Sequence, residues 1–399
     1  MTAYGRGEHA WDSIGRVALE RPSSRKWSLH PGTIGAWVAE MDFGTAPPVR
    51  EALRRAIDDD VLGYLSPGTA AELAEATAAW QATQHGWQVD PERVHAVSDV
   101  MAALGAAVEH YSPEGSAVIV PTPAYMPFLT YLATLGRPVV QVPGVVIDGR
   151  WQHDLDGIDR AFAAGARTLV LCNPHNPTGT VLPRAELEQI AELVERHGGR
   201  VFADEIHASI RFDGREHVPY ASVSAAAAGH TITGTSASKA WNIPGLKAAQ
   251  LITANDADEA RYRSFGFAVV HGASTLGVVA STAAYRAGGP WLEGTVDYLQ
   301  RNRDLLGALL AERLPGAHWH APEATYLAWL DLTGLRLGAD SPAALLRERA
   351  GVTLTDGALC GAGSEQHVRL VFATPAPVLE EAIDRIAAAL APIGAGSPR

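Results

Sequence analysis

Short apolar runs alternate with longer stretches of helical spacing through the middle of the chain. Ala117 to Val120, Thr168 to Leu171, Val201 to Ala203, Thr231 to Gly234 and Ala249 to Thr253 each read as a strand. Met101 to Tyr111 and Arg184 to His197 have the spacing of amphipathic helices. Such an alternation predicts an α/β fold: a mostly parallel central sheet sandwiched by helical crossovers, which binds its ligand at the carboxyl ends of the strands. The stretch up to about Pro48 is irregular and turn-rich, closed by a Pro-Pro pair. From Trp291 a long helical segment runs to Leu314, and the remainder reads as α+β, ending in an amphipathic helix near Pro377 to Leu390. The alanines Ala225 to Ala228 read as a surface helix, and the final GAGSPR as a disordered tail.

A length of 399 residues exceeds what a single growing core accommodates, so one large and one smaller domain are expected. The hydrophobic share of 47% and charged share of 19% are those of an ordinary soluble protein. A formal net charge of −12 argues against a nucleic acid or an anionic membrane as partner. No run is long and apolar enough to span a bilayer, and Met1 to Ala10 lacks the plan of a signal peptide, so a cytoplasmic protein is expected. Cys172 and Cys360 lie far apart, with neither a disulfide framework nor metal-ligand spacing.

The chemistry concentrates just after the predicted strands. In TSASKAWNIPGLK, Lys239 sits among small residues, and an amine reacts only if its neutral form is accessible. Thr235, Ser236, Ser238 and Lys247 offer the several donors that a phosphate needs, so this segment suits a pyridoxal phosphate (PLP) cofactor: an amine for its aldehyde and an anchor for its tail. A Ser/Lys-rich turn has the same composition. In NPHNPTG, Asn176 can present an amide to a phenolate oxygen, although the motif also suits a rigid turn. Asp204 in ADEIH can pair with a protonated pyridine nitrogen, or cap the next helix. His207 is either a cofactor contact or a structural histidine.

Tyr125 in PTPAY offers an aromatic face for stacking, or a core ring. Ser98 to Leu104 reads as a helix start whose free amides, at Val100 and Met101, suit a phosphate; a plain capped helix reads the same way. Arg369, inside the apolar run HVRLVFATP, needs an anion: a substrate carboxylate or an internal acid. Tyr64 in LGYLSP is a phenol donor or a surface-turn residue.

Taken in order, Tyr64, Ser98 to Met101, Tyr125, NPHNPTG, DEIH, SASK and Arg369 resemble the fold-type I PLP enzymes of the aminotransferase class I/II superfamily. WVAEMDF, CNPHNPTG, ADEIHA, SKAWNIPGLK, GGPWL and TYLAWLDL resemble, more narrowly, the MalY/PatB group of cystathionine β-lyase-like C–S lyases. The resemblance implies that Lys239 bonds to the cofactor aldehyde and moves the Cα proton. It implies that Asp204 holds the pyridine nitrogen, that Asn176 and His207 flank the ring oxygen, and that Tyr125 stacks on the ring. Ser236, Lys247 and the amides of Val100 and Met101 hold the phosphate. Tyr64 reaches the phosphate of a neighbouring subunit, hence a homodimer with shared sites, and Arg369, with Asn176, binds the carboxylate of a small amino-acid substrate. The implied domains are 49–290, binding PLP, and a smaller one from 291–399 joined by 1–48. The implied reaction is β-elimination from cystathionine or a cysteine S-conjugate, giving a thiol, pyruvate and ammonia. Transamination uses the same residues, and a specialised reaction on a thiol conjugate or a decarboxylation-coupled deamination also fits. A protein that only binds is disfavoured, because Lys239, Asp204 and Arg369 are all retained. Val371, Thr374 and Leu359-Cys360 depart from the group's pattern on the substrate side, and SRKWSLHP lacks the acid usual after Lys-Trp.

Overall fold

In the computed structural model, residues 9–265, 271–338 and 341–394 are described. Seven strands form the larger sheet: β1 (Val94–Val97), β2 (Val118–Thr122), β3 (Val139–Pro143), β4 (Thr168–Cys172), β5 (Arg200–Asp204), β6 (Thr231–Thr235) and β7 (Ala249–Thr253). Their spatial order is β1-β7-β6-β5-β4-β2-β3. From β3 through β6 every pairing is parallel. Side chains alternate between two covered faces. Val118, Val120, Val170 and Phe202 enter one core, while Ile119, Leu169, Leu171, Val201 and Ala203 enter the other. Each such burial contributes about 1.5–3 kcal/mol relative to exposure, which is why these runs read as continuous apolar strands.

The expected parallel series fails at β7, which is antiparallel to both β6 and β1. The segment between β6 and β7 holds only turns and the short helix Pro244–Leu246. A parallel return needs a full crossover, and without one the chain doubles back. β1 and β3 left no sign in the sequence, because only Val94, Val97 and Val142 of their residues are buried. The Pro-Pro pair opens the helix Pro47–Asp58 instead of closing the irregular stretch; proline is at home in a first turn, where its missing N–H loses nothing. Ala227 is fully buried beside Ile190 and Val194, so the helix Ala225–His230 is not wholly a surface element.

A smaller antiparallel sheet is built from β8 (His318–Trp319), β9 (Leu327–Asp331), β10 (Thr355–Asp356) and β11 (His367–Val371), in the order β8-β9-β11-β10. The long helices Gly289–Arg313 and Ala376–Gly394 pack on one another beside it. The N-terminal segment is tied to this part of the chain, because Ile34–Gly35 pairs with Val352–Thr353. Both cysteines are buried and free. Among the described residues no helix is long and apolar enough to cross a membrane, and no cluster could hold a metal ion. Apart from Gly394, the expected GAGSPR tail lies outside the described residues.

Candidate active site

The direction of winding reverses at β2: β3 lies on one side of it, and β4, β5 and β6 on the other. Crevices form at the carboxyl ends of strands at such a reversal. Tyr125 follows β2, Asn176 follows β4, Asp204 ends β5 and Lys239 follows β6. Arg369 enters from β11, and the N-terminal segment around Trp37 to Met41 crosses the same cleft.

The chain has only three lysines. Lys26 is buried in an ion pair with Asp42 at 2.8 Å, and Lys247 pairs with Asp99 at 2.5 Å. Among the described residues Lys239 has no acid partner: its Nζ donates to the carbonyl oxygen of Ala39 at 2.9 Å. Burial of the amine, reinforced by the Arg369 cation, brings its pKa down to about 8, against the opposing pull of Glu40 and Asp204. Neutral amine is therefore accessible near physiological pH.

Asp204 is buried, and its Oδ1 accepts the amide N–H of Ile206 at 3.1 Å. Oδ2 meets no donor among the described residues. Burial lifts the carboxyl to about 7, with a smaller push from neighbouring Glu205. Such an acid is stabilised by a cation supplied from outside the chain. His207 is buried, and its Nδ1 has no partner among the described residues. Burial, then Lys239 and Arg369, push its pKa down to about 3, so the ring is neutral. Tyr125 is partly buried, its ring edge-on to Phe128 at 5.3 Å. Burial raises its phenol pKa; Arg369 opposes and Asp204 adds to the shift, so the ring stands within electrostatic reach of both.

Arg369 is buried, yet no carboxylate pairs with it among the described residues. Its Nη1 donates to Asn176 Oδ1 at 3.0 Å, and Nη2 donates to Trp37 O at 2.9 Å and Thr355 Oγ1 at 3.2 Å. Nε has no partner. The internal-acid reading of Arg369 is thereby excluded for the described residues, and a buried, uncompensated guanidinium calls for an anion.

The expected phosphate donors are arranged less uniformly. Asp99 caps the helix Val100–His110 by accepting from Ala102 N at 2.8 Å, and among the described residues the amides of Val100 and Met101 have no acceptor, which suits an anion. Lys247 stands beside them through its bond to Asp99. The Ser236 hydroxyl, however, donates to Ala248 O at 2.8 Å and accepts from Ser238 N at 3.0 Å, so its proton is committed within its own loop. Tyr64 stands apart from the other residues, 88% exposed, with its ring 5.4 Å from that of His271.

Sequence reasoning missed four contributors: the carbonyls of Trp37 and Ala39, the hydroxyl of Thr355, and Tyr326, which is buried and donates to Ala39 O at 3.0 Å. It also missed a buried pair behind Asp204, in which Glu205 Oε2 lies 3.3 Å from His217 Nε2. Backbone carbonyls leave no trace in residue identity; Tyr326 was legible only as part of the motif TYLAWLDL.

Residues 38–386 match the family model for aminotransferase class I and II. The chain belongs to that family. Within it, the chain is 38% identical over 373 residues to the cystathionine beta-lyase of Corynebacterium glutamicum, covering 93% of this chain and 98% of that one. It is 33% identical over 356 residues to cystathionine beta-lyase PatB of Bacillus subtilis, covering 89% and 92%. The PLP-bound C-S lyase of Staphylococcus hominis superposes with a TM-score of 0.87 at 29% identity, covering 96% and 98%. The expected fold-type I architecture is borne out.

Proposed function

We propose that this protein is a PLP-dependent carbon–sulfur β-lyase acting on cystathionine-like or cysteine S-conjugate amino acids. The observation that carries the reading is the combination, in one cleft and among the described residues, of an amine without an acid partner at Lys239, an uncompensated buried acid at Asp204 and an uncompensated guanidinium at Arg369. These are the complements of an aldehyde, a pyridinium nitrogen and a carboxylate. The names of the lyase relatives support the choice of reaction.

The residues present fit the cofactor: Lys239 for its aldehyde, Asp204 for its ring nitrogen, Asn176 and His207 for its ring oxygen, Tyr125 for its face. Lys247 and the amides of Val100 and Met101 suit its phosphate, and Ser236 joins them if its hydroxyl turns away from Ala248. When bound, the cofactor supplies an electron sink for charge developing at the substrate Cα. Asp204 keeps the ring nitrogen protonated. Arg369 holds the substrate carboxylate with two parallel N–H bonds, and Asn176 steadies the guanidinium. Lys239, released as a neutral amine, takes the Cα proton; the C–H electron pair becomes the Cα–Cβ double bond as the Cβ–S bond breaks and thiolate leaves. Water then completes the release of pyruvate and ammonia.

Tyr64, exposed in a single chain, is read as a contributor to the phosphate site of a second copy, which makes the working unit a homodimer with shared sites. The large PLP-binding domain is taken as 49–290 and the smaller one as 291–399 with 1–48, and the enzyme as cytoplasmic. The decisive assay supplies L-cystathionine with PLP, and separately an amino acid with 2-oxoglutarate. Pyruvate and thiol from the first support the lyase; glutamate in stoichiometric amount from the second, without pyruvate, replaces it with transamination.

A further inference from the structure

The carbonyl oxygen of Ala39 receives two donors at once, Lys239 Nζ at 2.9 Å and the Tyr326 hydroxyl at 3.0 Å. The backbone on either side is fastened independently. Trp37 O accepts from Arg369 and Thr355, and Met41 exchanges a pair of bonds, both 2.9 Å, with the Asn242 side chain. Between those anchors Glu40 N donates to Val38 O at 2.8 Å and Lys26 Nζ to Glu40 O at 3.3 Å, while the Ala39 oxygen itself accepts, among the described residues, from Tyr326 and Lys239 alone. Tyr326 is itself rigid: it is 1% exposed, and its own carbonyl accepts from Phe372 N at 3.0 Å. Among the described residues its hydroxyl has no partner other than Ala39.

We propose that Tyr326 is a positioning residue for Lys239: its O–H fixes the Ala39 carbonyl where the unbonded amine comes to rest, and competes with that amine for the same oxygen. The inference rests on Lys239 being the cofactor-bearing lysine. An oxygen that already accepts an O–H bond attracts an ammonium less strongly, so Tyr326 favours the neutral amine. Burial keeps the phenol protonated, and therefore a donor, across the working range. The other groups facing the amine are Arg369, which also favours the neutral form, and Glu40 and Asp204, which oppose it; His207 is neutral there.

The test uses the full-length protein freed of cofactor, with lysine ionisation followed by competitive acetylation and mass spectrometry. Lys26 and Lys247 serve as internal references. Tyr326→Phe removes one hydroxyl at constant shape, and the Lys239 midpoint moves up by about half to one pH unit. Fluorotyrosine at position 326, a stronger donor, moves it down. The acid limb of the turnover profile of the reconstituted enzyme follows in the same directions, which a purely structural role would not produce. A Phe variant whose Lys239 midpoint stays still or falls overturns the proposal; if that variant does not fold, an upward or absent shift with fluorotyrosine does so alone. Failure of the wild-type chain to bond PLP at Lys239 overturns the functional reading instead, whatever Tyr326 does.

Discussion

Asn176 and Arg369 meet across the cleft: the guanidinium Nη1 donates to the amide oxygen at 3.0 Å, joining the loop after β4 to the strand β11. In the proposed function Asn176 serves the ring oxygen of the cofactor and Arg369 the substrate carboxylate, so on that reading this bond sets the distance between the two sites. Arg369→Lys keeps the charge but loses the planar fork. Steady-state kinetics of that variant should show KM for the amino-acid substrate raised about 10- to 100-fold, the equivalent of about 1.4–2.7 kcal/mol of charge-assisted hydrogen bonding, with a smaller change in kcat. Unchanged KM would remove Arg369 from the carboxylate site.

Asp204→Asn keeps the shape and the bond to Ile206 N but cannot neutralise a pyridinium. Turnover should fall by about 100-fold or more with any substrate, as for removal of an electrostatic stabiliser of developing charge. Circular dichroism should stay that of the parent. A variant retaining most of its kcat would contradict the role given to Asp204.

The Glu205–His217 pair makes a prediction about stability. Burial raises the Glu205 carboxyl from 4.5 to about 8 and lowers His217 from 6.5 to about 3, so near neutral pH both are uncharged and together hold one proton. Between pH 4.5 and 8 native Glu205 binds a proton that the unfolded chain has released, and its contribution to stability is lost as pH rises. His217 acts with the opposite sign from pH 3 to 6.5, offsetting Glu205 in the overlap. Asp204, lifted from 3.8 to about 7, adds to the Glu205 loss through that overlap and up to about pH 7, and Lys239 takes the opposite sign only above about 8. From pH 6.5 to 8 Glu205 therefore dominates, at about 1.4 kcal/mol per unit, or about 2 kcal/mol over the window. Denaturant unfolding of the cofactor-free protein should show that decline, and Glu205→Gln should flatten it. An equally steep decline in the variant would refute the assignment.

What the sequence disclosed, and what it hid, follows from where the information resides. Lys239, Asp204, Asn176 and Arg369 were legible because each is a chemically demanding side chain at or beside an apolar strand, where burial forces the question of a partner. Ala39, Trp37 and Thr355 were not: two act through main-chain oxygens and the third through a hydroxyl common in any strand. His217 carries no signal of its own, since it meets Glu205 only after the chain has turned back across the helix Pro67–His85, where His85 stacks edge-on against it at 5.1 Å. The direction of β7 was lost because its apolar run is the same whichever way it points; the short connection before it was the cue. Ser236 shows the reverse, a residue whose identity suits a phosphate while its proton is committed to Ala248.

Tyr64 is the residue whose proposed role depends on a second chain. Sedimentation at micromolar concentration should give the mass of two chains, and Tyr64→Ala should weaken PLP retention measured by dialysis about tenfold, the loss of one hydrogen bond to a charged group. A monomer with full PLP affinity would leave Tyr64 as a surface residue.

The most direct measurement is borohydride reduction of the PLP-loaded protein followed by peptide mapping. The account predicts one reduced pyridoxyl group per chain, on Lys239, and none in Lys239→Ala. Label on Lys26 or Lys247, or none on any lysine, would contradict it.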